Sequence, residues 1–395
     1  MRMAQPLIIL GASARAAAQS ARRAGYAPWC VDLFADRDLQ AIAAVRRCPP
    51  AQYPAAMLAL LERAPFDAPV LLTGAMENHP EAVAAIAFAR TMLGSSPEAI
   101  RQAREPMALA SLPVTAGLKF CKTRTSSYLH RFGHLIFGAL LRTKYLLKPR
   151  RSAGGAGITW WNPAMRIDRE HYIQQYVRGT SYSAVFVGDG WSSSLVGVTE
   201  QLVGEPAFGC QGKAGAFRYC GSIGPARLSE RSREALRHLG VQIAERHDVR
   251  GVFGVDLVMD WRGRLWPVEI NPRYVASIEI LERALDIAVL SDDPRKRAKA
   301  DLELVHLCGK AIVYARRTVD VGDLYAHFSE QEIADVPEVG RTIRAGRPIC
   351  TVLTRGGTRD ACQRDLEALA QRVYGAVEAD DQPADAAPDR VNAPA

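Results

Sequence analysis

The residues best suited to chemistry are two carboxylates and one amide, Asp256, Glu269 and Asn271. They lie in residues 251–273, where VFGVDLVMD and RLWPVEI have the pattern of two apolar strands joined by a turn at 261–263. Side chains two apart on a strand share a face, and antiparallel pairing brings Asp256 beside the other two. Mg²⁺ commonly takes one or two protein carboxylates together with phosphates and water. The segment therefore predicts a metal site, with a solvated acidic hairpin end as the alternative.

A second group of residues is suited to holding phosphate. Lys148 ends the apolar run YLL, and the loop 150–157 that follows contains Gly154, Gly155 and Gly157. Glycines let backbone amides fold around a phosphate chain without obstruction by side chains, and the lysine adds a positive charge. This pattern predicts a phosphate-binding loop, although a flexible hairpin tip would look similar.

The run YIQQYV at 172–177 is the third element. In an extended segment the backbone groups of Gln174 through Val177 could contact an adenine edge, but an ordinary buried strand has the same appearance. The order of the three elements favours a functional interpretation. A lysine followed by a glycine loop, then an apolar strand, then an acidic hairpin would together make one ATP–Mg²⁺ site.

Strands and helices alternate in the N-terminal part, which predicts a parallel, doubly wound α/β sheet. LIIL, APWCVDLF and PVLLT are the predicted strands. Gly11-Ala12-Ser13 lacks the later glycines of a dinucleotide fingerprint. Glu77 and Asn78 follow PVLLT at a strand's carboxyl end, where α/β ligand sites gather, so they are substrate candidates or simply part of a structural loop.

We divide the chain into four parts. The predicted units are an N-terminal Rossmann-like domain (1–104), a nucleotide-binding and catalytic α+β domain (105–300), a small β-rich domain (301–378) and a disordered acidic tail (379–395).

Composition narrows the class of protein. The 395 residues carry a net charge of +8 without a long basic run, which fits phosphate-bearing small molecules and disfavours nucleic acid as a partner. The eight cysteines form no CxxC pair, so reduced thiols in a cytoplasmic protein are expected. Residues 1–6 lead directly into LIIL, which argues against a signal peptide, and no apolar run is long enough for a membrane span.

The three motifs LLKPRRSAGGAG, QQYVRGTS and FGVDLVMD…PVEINPR, in this order, resemble the ATP-grasp superfamily of carboxylate–amine ligases. The resemblance covers roughly residues 1–300 and implies the ATP-grasp fold, preceded by a doubly wound domain. The last part of the chain resembles the small C-terminal domain of biotin-carboxylase-like members. The resemblance implies these roles: Lys148, Gly154, Gly155 and Gly157 for nucleotide phosphates, Gln175, Tyr176 and Val177 for adenine, Asp256, Glu269 and Asn271 for metal, and Arg273 for the acyl phosphate or its attacker.

The chain departs from the superfamily pattern at several positions. Gln174 or Gln175 stands where many members have a glutamate in the adenine strand, and Ser181 stands where many have the glutamate that binds ribose. Asp256 replaces a glutamate that many members use as a metal ligand.

The expected reaction joins a small-molecule carboxylate to an amine through an acyl phosphate, with Lys148 and Arg273 as catalytic residues and ATP and Mg²⁺ as cofactors. Gln201, Ser277 and Glu279 are further substrate candidates. The layout also resembles ATP-grasp proteins of one-carbon metabolism linked to tetrahydromethanopterin and methylofuran, which suggests addition of an amino acid such as glutamate. Carboxylation through carboxyphosphate and an inactive nucleotide-binding scaffold are the alternatives. A homodimer is expected for this superfamily.

Overall fold

A computed structural model of the chain describes residues 4–113, 115–125, 143–293 and 306–380. The strands are β1 (Gln5–Leu10), β2 (Tyr26–Asp32), β3 (Ala44–Arg47), β4 (Val70–Leu72), β5 (Thr123–Thr125), β6 (Tyr145–Pro149), β7 (Thr159–Trp160), β8 (His171–Gln175), β9 (Gly179–Asp189), β10 (Ser193–Val203), β11 (Tyr219–Gly224), β12 (Arg250–Asp260), β13 (Leu265–Asn271), β14 (Leu307–Tyr314), β15 (Val319–Val321), β16 (Ile333–Ala334), β17 (Arg341–Ile343) and β18 (Pro348–Gly356). The helices are α1 (Arg15–Arg23), α2 (Arg37–Gln40), α3 (Ala55–Leu61), α4 (Pro80–Ala89), α5 (Pro97–Ala103), α6 (Gly212–Gly215), α7 (Glu230–His247), α8 (Ser277–Leu285) and α9 (Arg359–Asp380).

The N-terminal strands form a parallel sheet in the order β3-β2-β1-β4. Successive residues of β1 point to opposite faces, as strand geometry requires. Leu7 and Ile9 pack in the core on the side of α1, whereas Ile8 and Leu10 pack with residues of α3 and α4. Helices cover both faces, so the predicted doubly wound α/β arrangement is confirmed.

A second, antiparallel sheet has the order β5-β8-β6-β7. Of its two central strands, β6 contains Lys148, the predicted phosphate-binding lysine, and β8 contains the start of the predicted adenine-binding segment. Leu146 lies opposite Gln174, and Lys148 lies opposite Tyr172. The pairing brings residues far apart in the chain onto neighbouring strands.

The largest sheet has eight strands in the order β13-β12-β9-β10-β11-β14-β18-β16. Alternate residues of its strands face opposite sides: Phe253 and Val255 pack with α7, and Val252 packs with α8. The C-terminal strands β14, β18 and β16 extend this same sheet, and only β15 and β17 pair separately. The mixed α/β fold matches the expectation, and the division into domains stays a prediction.

Helix α7 shows how local sequence sets an element's ends. Ser229 caps it, its side-chain oxygen accepting a hydrogen bond from the Ser232 N–H at 3.2 Å. The helix ends at Asp248, which adopts a left-handed conformation with φ of 49°. Leu236, Leu239 and Ile243, spaced three and four apart, are buried against the large sheet.

Helix α9 continues through residues 379 and 380, into the start of the predicted tail. Residues 381–395 of that tail lie outside the described part of the chain. Across the described ranges no helix is both long and apolar enough to span a bilayer.

A buried ion-pair network ties the N-terminal helix to the large sheet. Glu279 of α8 accepts hydrogen bonds from Arg15 of α1 and, at 2.9 Å, from the Nζ of Lys310 on β14. Burial alone would raise the pKa of Glu279, but the charges of Arg15 and Lys310 outweigh it and hold the pKa well below the usual range.

We expect Glu279→Gln to lower the free energy of unfolding by about 3–5 kcal/mol at neutral pH, because it leaves two buried cations short of a counter-charge. A carboxyl group with a depressed pKa contributes stability above its unfolded pKa of about 4.3, and that contribution is lost as the pH falls. Denaturant unfolding at several pH values measures both effects. Glu98→Gln, which changes an exposed pair with Arg101, is the matched control. An acid dependence identical in wild type and Glu279→Gln would contradict this explanation.

Candidate functional site

The acidic hairpin is formed by β12 and β13. Asp256 lies opposite Glu269 and Gly254 lies opposite Asn271, so the three polar side chains share the sheet face away from α7. The Nδ2 of Asn271 donates a hydrogen bond to the Oδ2 of Asp256 at 3.0 Å. The same-face arrangement expected from residue spacing is present, and it depends on the antiparallel register.

The two carboxylates are half-buried and lie close enough to interact electrostatically. Burial, followed by repulsion from Glu269, raises the pKa of Asp256 to about 6. Burial also acts to raise the pKa of Glu269, but Arg104 and Lys148 outweigh it and lower that pKa. Arg104 forms a direct ion pair with Glu269. The site therefore holds excess negative charge at Asp256, which a cation would relieve.

The donor set fits a hard divalent cation. Asp256, Glu269 and the amide group of Asn271 carry oxygen atoms, and Mg²⁺ takes one or two carboxylates of this kind. Within the described ranges no cluster of three or more His, Cys, Asp or Glu side chains could hold a metal, so two carboxylates with an amide are the relevant group. The Nε2 of Gln201 donates to the Oδ1 of Asp256 at 3.0 Å. This contact fixes the orientation of the carboxylate.

Lys148 is held by a neutral partner. Its Nζ donates to the Oε1 of Gln174 at 2.9 Å, and the Nε2 of Gln174 donates to the carbonyl of Val268 at 3.1 Å. Val268 is the extra residue of a β-bulge, because the register shifts from Asp256–Glu269 to Leu257–Pro267. A glutamine at position 174 thus positions the lysine without neutralising it.

The glycine loop packs against residues 217–219. Gly155 has a φ of +77°, and a Cβ there would lie 1.9 Å from the carbonyl oxygen of Phe217. The Tyr219 N–H also donates to the carbonyl of Gly154 at 3.0 Å. The close approach of the two backbones explains why position 155 requires glycine.

An aromatic group lies next to the predicted adenine strand. The ring of Trp160 contacts Tyr176 and Phe217 edge-on, with centroid distances of 4.7 and 5.6 Å. The N–H groups of Gln175 and Tyr176 already donate to the carbonyls of Lys122 and Lys144. Those two donors are used within the protein, which leaves carbonyl oxygens, Val177 and the aromatic rings for contact with a base.

One cavity of about 610 Å³ joins these elements. Its lining contains these predicted site residues: Lys148, Gly154, Gly155, Gln175, Tyr176, Val177, Ser181, Gln201, Asp256, Glu269, Asn271, Arg273 and Ser277.

Four candidates, Gly157, Glu77, Asn78 and Glu279, are not part of the lining. Glu77 accepts a hydrogen bond from the Nε of Arg273 at 2.8 Å, and Asn78 donates to the carbonyl of Ser152 at 3.1 Å. Glu279 is paired inside the ion-pair network with Arg15 and Lys310. Glu77, Asn78 and Glu279 therefore contact residues of the cavity lining without lining the cavity themselves.

Sequence reasoning missed several charged residues at the cavity. Arg104 reaches Glu269 from the end of α5, 165 positions away in the chain. Arg15, Lys310 and Asp335 also line the cavity or its edge. Arg15 could have been found from the sequence, because it follows β1 at the carboxyl end of that strand. No local sequence pattern marks Arg104, Lys310 or Asp335.

Residues 136–277 match the family model of the ATP-grasp domain. The chain contains an ATP-grasp domain. A protein of Methanocaldococcus jannaschii, itself uncharacterized, is 24% identical over 204 residues, which are 50% of this chain and 46% of that protein. The match thus spans less than half the length of that relative.

Solved structures with the same ATP-grasp fold align over nearly the whole chain. An L-amino acid ligase from Bacillus licheniformis has a TM-score of 0.63 at 16% identity, covering 94% of this chain and 98% of its own. An Aspergillus clavatus carboxyaminoimidazole ribonucleotide synthase complexed with ATP has a TM-score of 0.64 at 16% identity, covering 95% and 100%. A biotin carboxylase from Campylobacter jejuni has a TM-score of 0.59 at 14% identity, covering 91% and 89%. At these identities the likeness establishes the fold.

We expect Gly155→Ala to loosen the glycine loop of the ATP-grasp domain, because the new methyl group would overlap the Phe217 carbonyl. Gly154→Ala is the matched control: it also has a positive φ, of +59°, but a Cβ there meets nothing within 4 Å. Amide hydrogen exchange in residues 152–158 and 217–219 should be faster in Gly155→Ala than in Gly154→Ala. Equal exchange in the two variants would show that backbone conformation alone, and not the contact with Phe217, controls this loop.

Proposed function

We propose that the protein is an ADP-forming ligase that joins a carboxylate to an amine through an acyl phosphate. One observation carries the proposal: a single cavity brings Lys148 and the glycine loop together with Asp256, Glu269 and Asn271, and places Arg273 beside them. Phosphoryl transfer depends mainly on positioning and on charge stabilisation, so a site built from fixed charges fits this reaction.

Lys148 and the amides of the glycine loop are proposed to hold the nucleotide phosphates. Burial acts to lower the pKa of Lys148, but the nearby Tyr172, Glu269 and Asp256 outweigh it and raise that pKa, so the buried amine stays charged. Preorganised charges in a site shielded from water stabilise a transition state strongly, because they need not reorient during the reaction. Gln175, Tyr176, Val177 and Trp160 are proposed to surround the base, and Ser181 to face the ribose.

Asp256, Glu269 and Asn271 are the proposed ligands for Mg²⁺. Bound Mg²⁺ supplies positive charge that neutralises phosphate oxygens as the bond to the leaving group breaks. Gln201 and Arg104 hold the two carboxylates in place. Arg104 also balances Glu269 when the cation is absent.

Arg273 is proposed to stabilise the oxyanion that forms when the amine attacks the acyl phosphate. Its Nε donates to Glu77 and its Nη1 donates to the carbonyl of Tyr274 at 3.0 Å, so the guanidinium has a fixed orientation. No side-chain nucleophile is required. Closure of the glycine loop would keep water from the intermediate.

The folds of the similar structures support a ligase of this kind, and one of them is named an L-amino acid ligase. The narrower proposal, from the sequence resemblance, is that an amino acid such as glutamate is added to a precursor of a one-carbon carrier. Biotin carboxylase and the ribonucleotide synthase share the fold, which makes carboxylation the second candidate. The homodimer and the domain boundaries stay predictions.

Glu269→Gln should lower the rate of ADP release by about two orders of magnitude or more, the usual cost of removing one preorganised charge-stabilising group. A coupled ADP assay over a panel of carboxylates and amines measures it. Glu230→Gln on the exposed surface of α7 serves as the control and should retain full activity. Full ATP turnover by Glu269→Gln would refute the assignment of the metal site.

The choice between the two candidate reactions rests on what stimulates ADP release. Ligation predicts that ADP release requires an amine together with a carboxylate and is unchanged by bicarbonate. Mass spectrometry of the product should show the summed mass of the two substrates less water. Stimulation by bicarbonate without any amine would favour carboxylation instead.

A further inference from the structure

One part of the cavity is built from the N-terminal segment and the C-terminal strands. We call it the acceptor end and define it by Ser13, Arg15, Arg273, Lys310 and Asp335. Lys310 and Asp335 belong to the segment that follows the ATP-grasp family match. The charges of these residues limit the kind of substrate that the acceptor end can bind.

Each cation of the acceptor end already has a buried carboxylate partner. Arg15 and Lys310 share Glu279, and Arg273 pairs with Glu77. The side chains of Glu77 and Glu279 are each only 1% exposed. The positive charges of these cations are therefore balanced before any ligand binds. Their remaining N–H groups can still donate hydrogen bonds, but a phosphate dianion would find no unbalanced positive charge among them.

Negative charge is in excess at the same place. Asp335 accepts hydrogen bonds from the Nε and Nη2 of Arg15, both at 3.0 Å, and Asp38 lies 3.6 Å from the same guanidinium. Among the described residues of this network, the three cations Arg15, Arg273 and Lys310 thus meet four carboxylates, Glu77, Glu279, Asp335 and Asp38.

Two further observations agree with an excess of negative charge. Burial, followed by repulsion from Asp335, Asp32 and Asp38, raises the pKa of Asp36 to about 8. The Oε2 of Glu77 is a buried oxygen with no hydrogen-bond partner among the described residues. A buried carboxylate oxygen without a donor is costly, which agrees with a local shortage of N–H donors around these carboxylates.

Asp335 is the carboxylate placed to meet a ligand. It lines the cavity, and 24% of its side chain is exposed, against 2% for Arg15 and 6% for Lys310. The Oγ1 of Thr351 donates to its Oδ2 at 2.5 Å, which fixes the carboxylate in place. Its Oδ1 accepts from Arg15 and keeps a second acceptor position.

We propose that the acceptor end takes the amine substrate as an ammonium group without a phosphate, and that Asp335 is the carboxylate that holds it. This inference rests on the ligase function proposed above and deepens it by naming the class of amine. An ammonium group supplies the positive charge and the N–H donors that this end lacks. A phosphorylated substrate finds no unpaired cation among the described residues of the acceptor end.

The test is equilibrium binding of two probes to the full chain by isothermal titration calorimetry. Alaninamide carries an ammonium group without a carboxylate, and ribose 5-phosphate carries a phosphate without an amine. The titrations are done with Mg²⁺ and a saturating imido analogue of ATP, so that the proposed nucleotide phosphate site is filled. Wild type should bind alaninamide and should not bind ribose 5-phosphate measurably.

Asp335→Asn should weaken alaninamide binding about tenfold or more, the effect of removing one charge-assisted hydrogen bond. It should also give measurable ribose 5-phosphate binding, because Arg15 loses one of its three carboxylate partners, the one that lines the cavity. This gain of binding cannot come from a misfolded variant. Asp323→Asn, which changes an exposed pair with Arg37, makes the same chemical change elsewhere and should match wild type.

The proposal is overturned if wild type binds ribose 5-phosphate as tightly as alaninamide, or if Asp335→Asn leaves both affinities unchanged. Should Asp335→Asn fail to fold, the preference of wild type between the two probes still decides. Binding is read without turnover, so the two proposals fail separately. Absence of ADP release with every substrate pair counts against the ligase function, whereas the wrong probe preference counts only against the acceptor end.

Discussion

The site is organised around the close approach of two carboxylates, Asp256 and Glu269, which lie on neighbouring strands and line the same cavity. Like charges placed together repel, and the repulsion is stronger where the protein displaces part of the surrounding water. The chain compensates by bringing in Arg104 from α5 and Lys148 from β6. These cations come from segments well separated in sequence, so the carboxylate pair adds ionic contacts between elements that are distant in the chain.

The same constraint explains smaller features around the pair. The bulge at Val268 turns a carbonyl toward Gln174, and Gln174 in turn positions Lys148. Gln201 and Asn271 both donate to Asp256, which satisfies its oxygens without adding charge. Amides are used where a further carboxylate would increase the repulsion.

A row of polar side chains crosses one face of the eight-stranded sheet. The register places Glu269, Asp256, Ser183 and Thr199 opposite one another on β13, β12, β9 and β10. A second line continues from β10 to β11 and β14, where Gln201, Ser222 and Lys310 lie opposite one another. Several of these side chains are fully buried, which is costly for polar groups unless they are paired. Because β14 and β18 continue the sheet, the C-terminal segment contributes to the same cavity as the ATP-grasp domain.

Residues close together in the chain are sufficient to predict several of the strands and the chemistry of the groups they carry. Alternation with a turn was enough to predict the β12–β13 hairpin and its shared polar face, and the ends of α7 likewise follow from residues close in the chain, among them the Ser229 cap. Which charges meet became visible only in the folded chain: Arg104 pairs with Glu269, Glu279 lies in a network with Arg15 and Lys310, and Asp335 lines the cavity. Such pairings depend on the sheet register and the strand order, which are set by residues far apart in the chain. Charges interact through space, so the spacing of neighbouring residues in the sequence does not reveal which of them will pair.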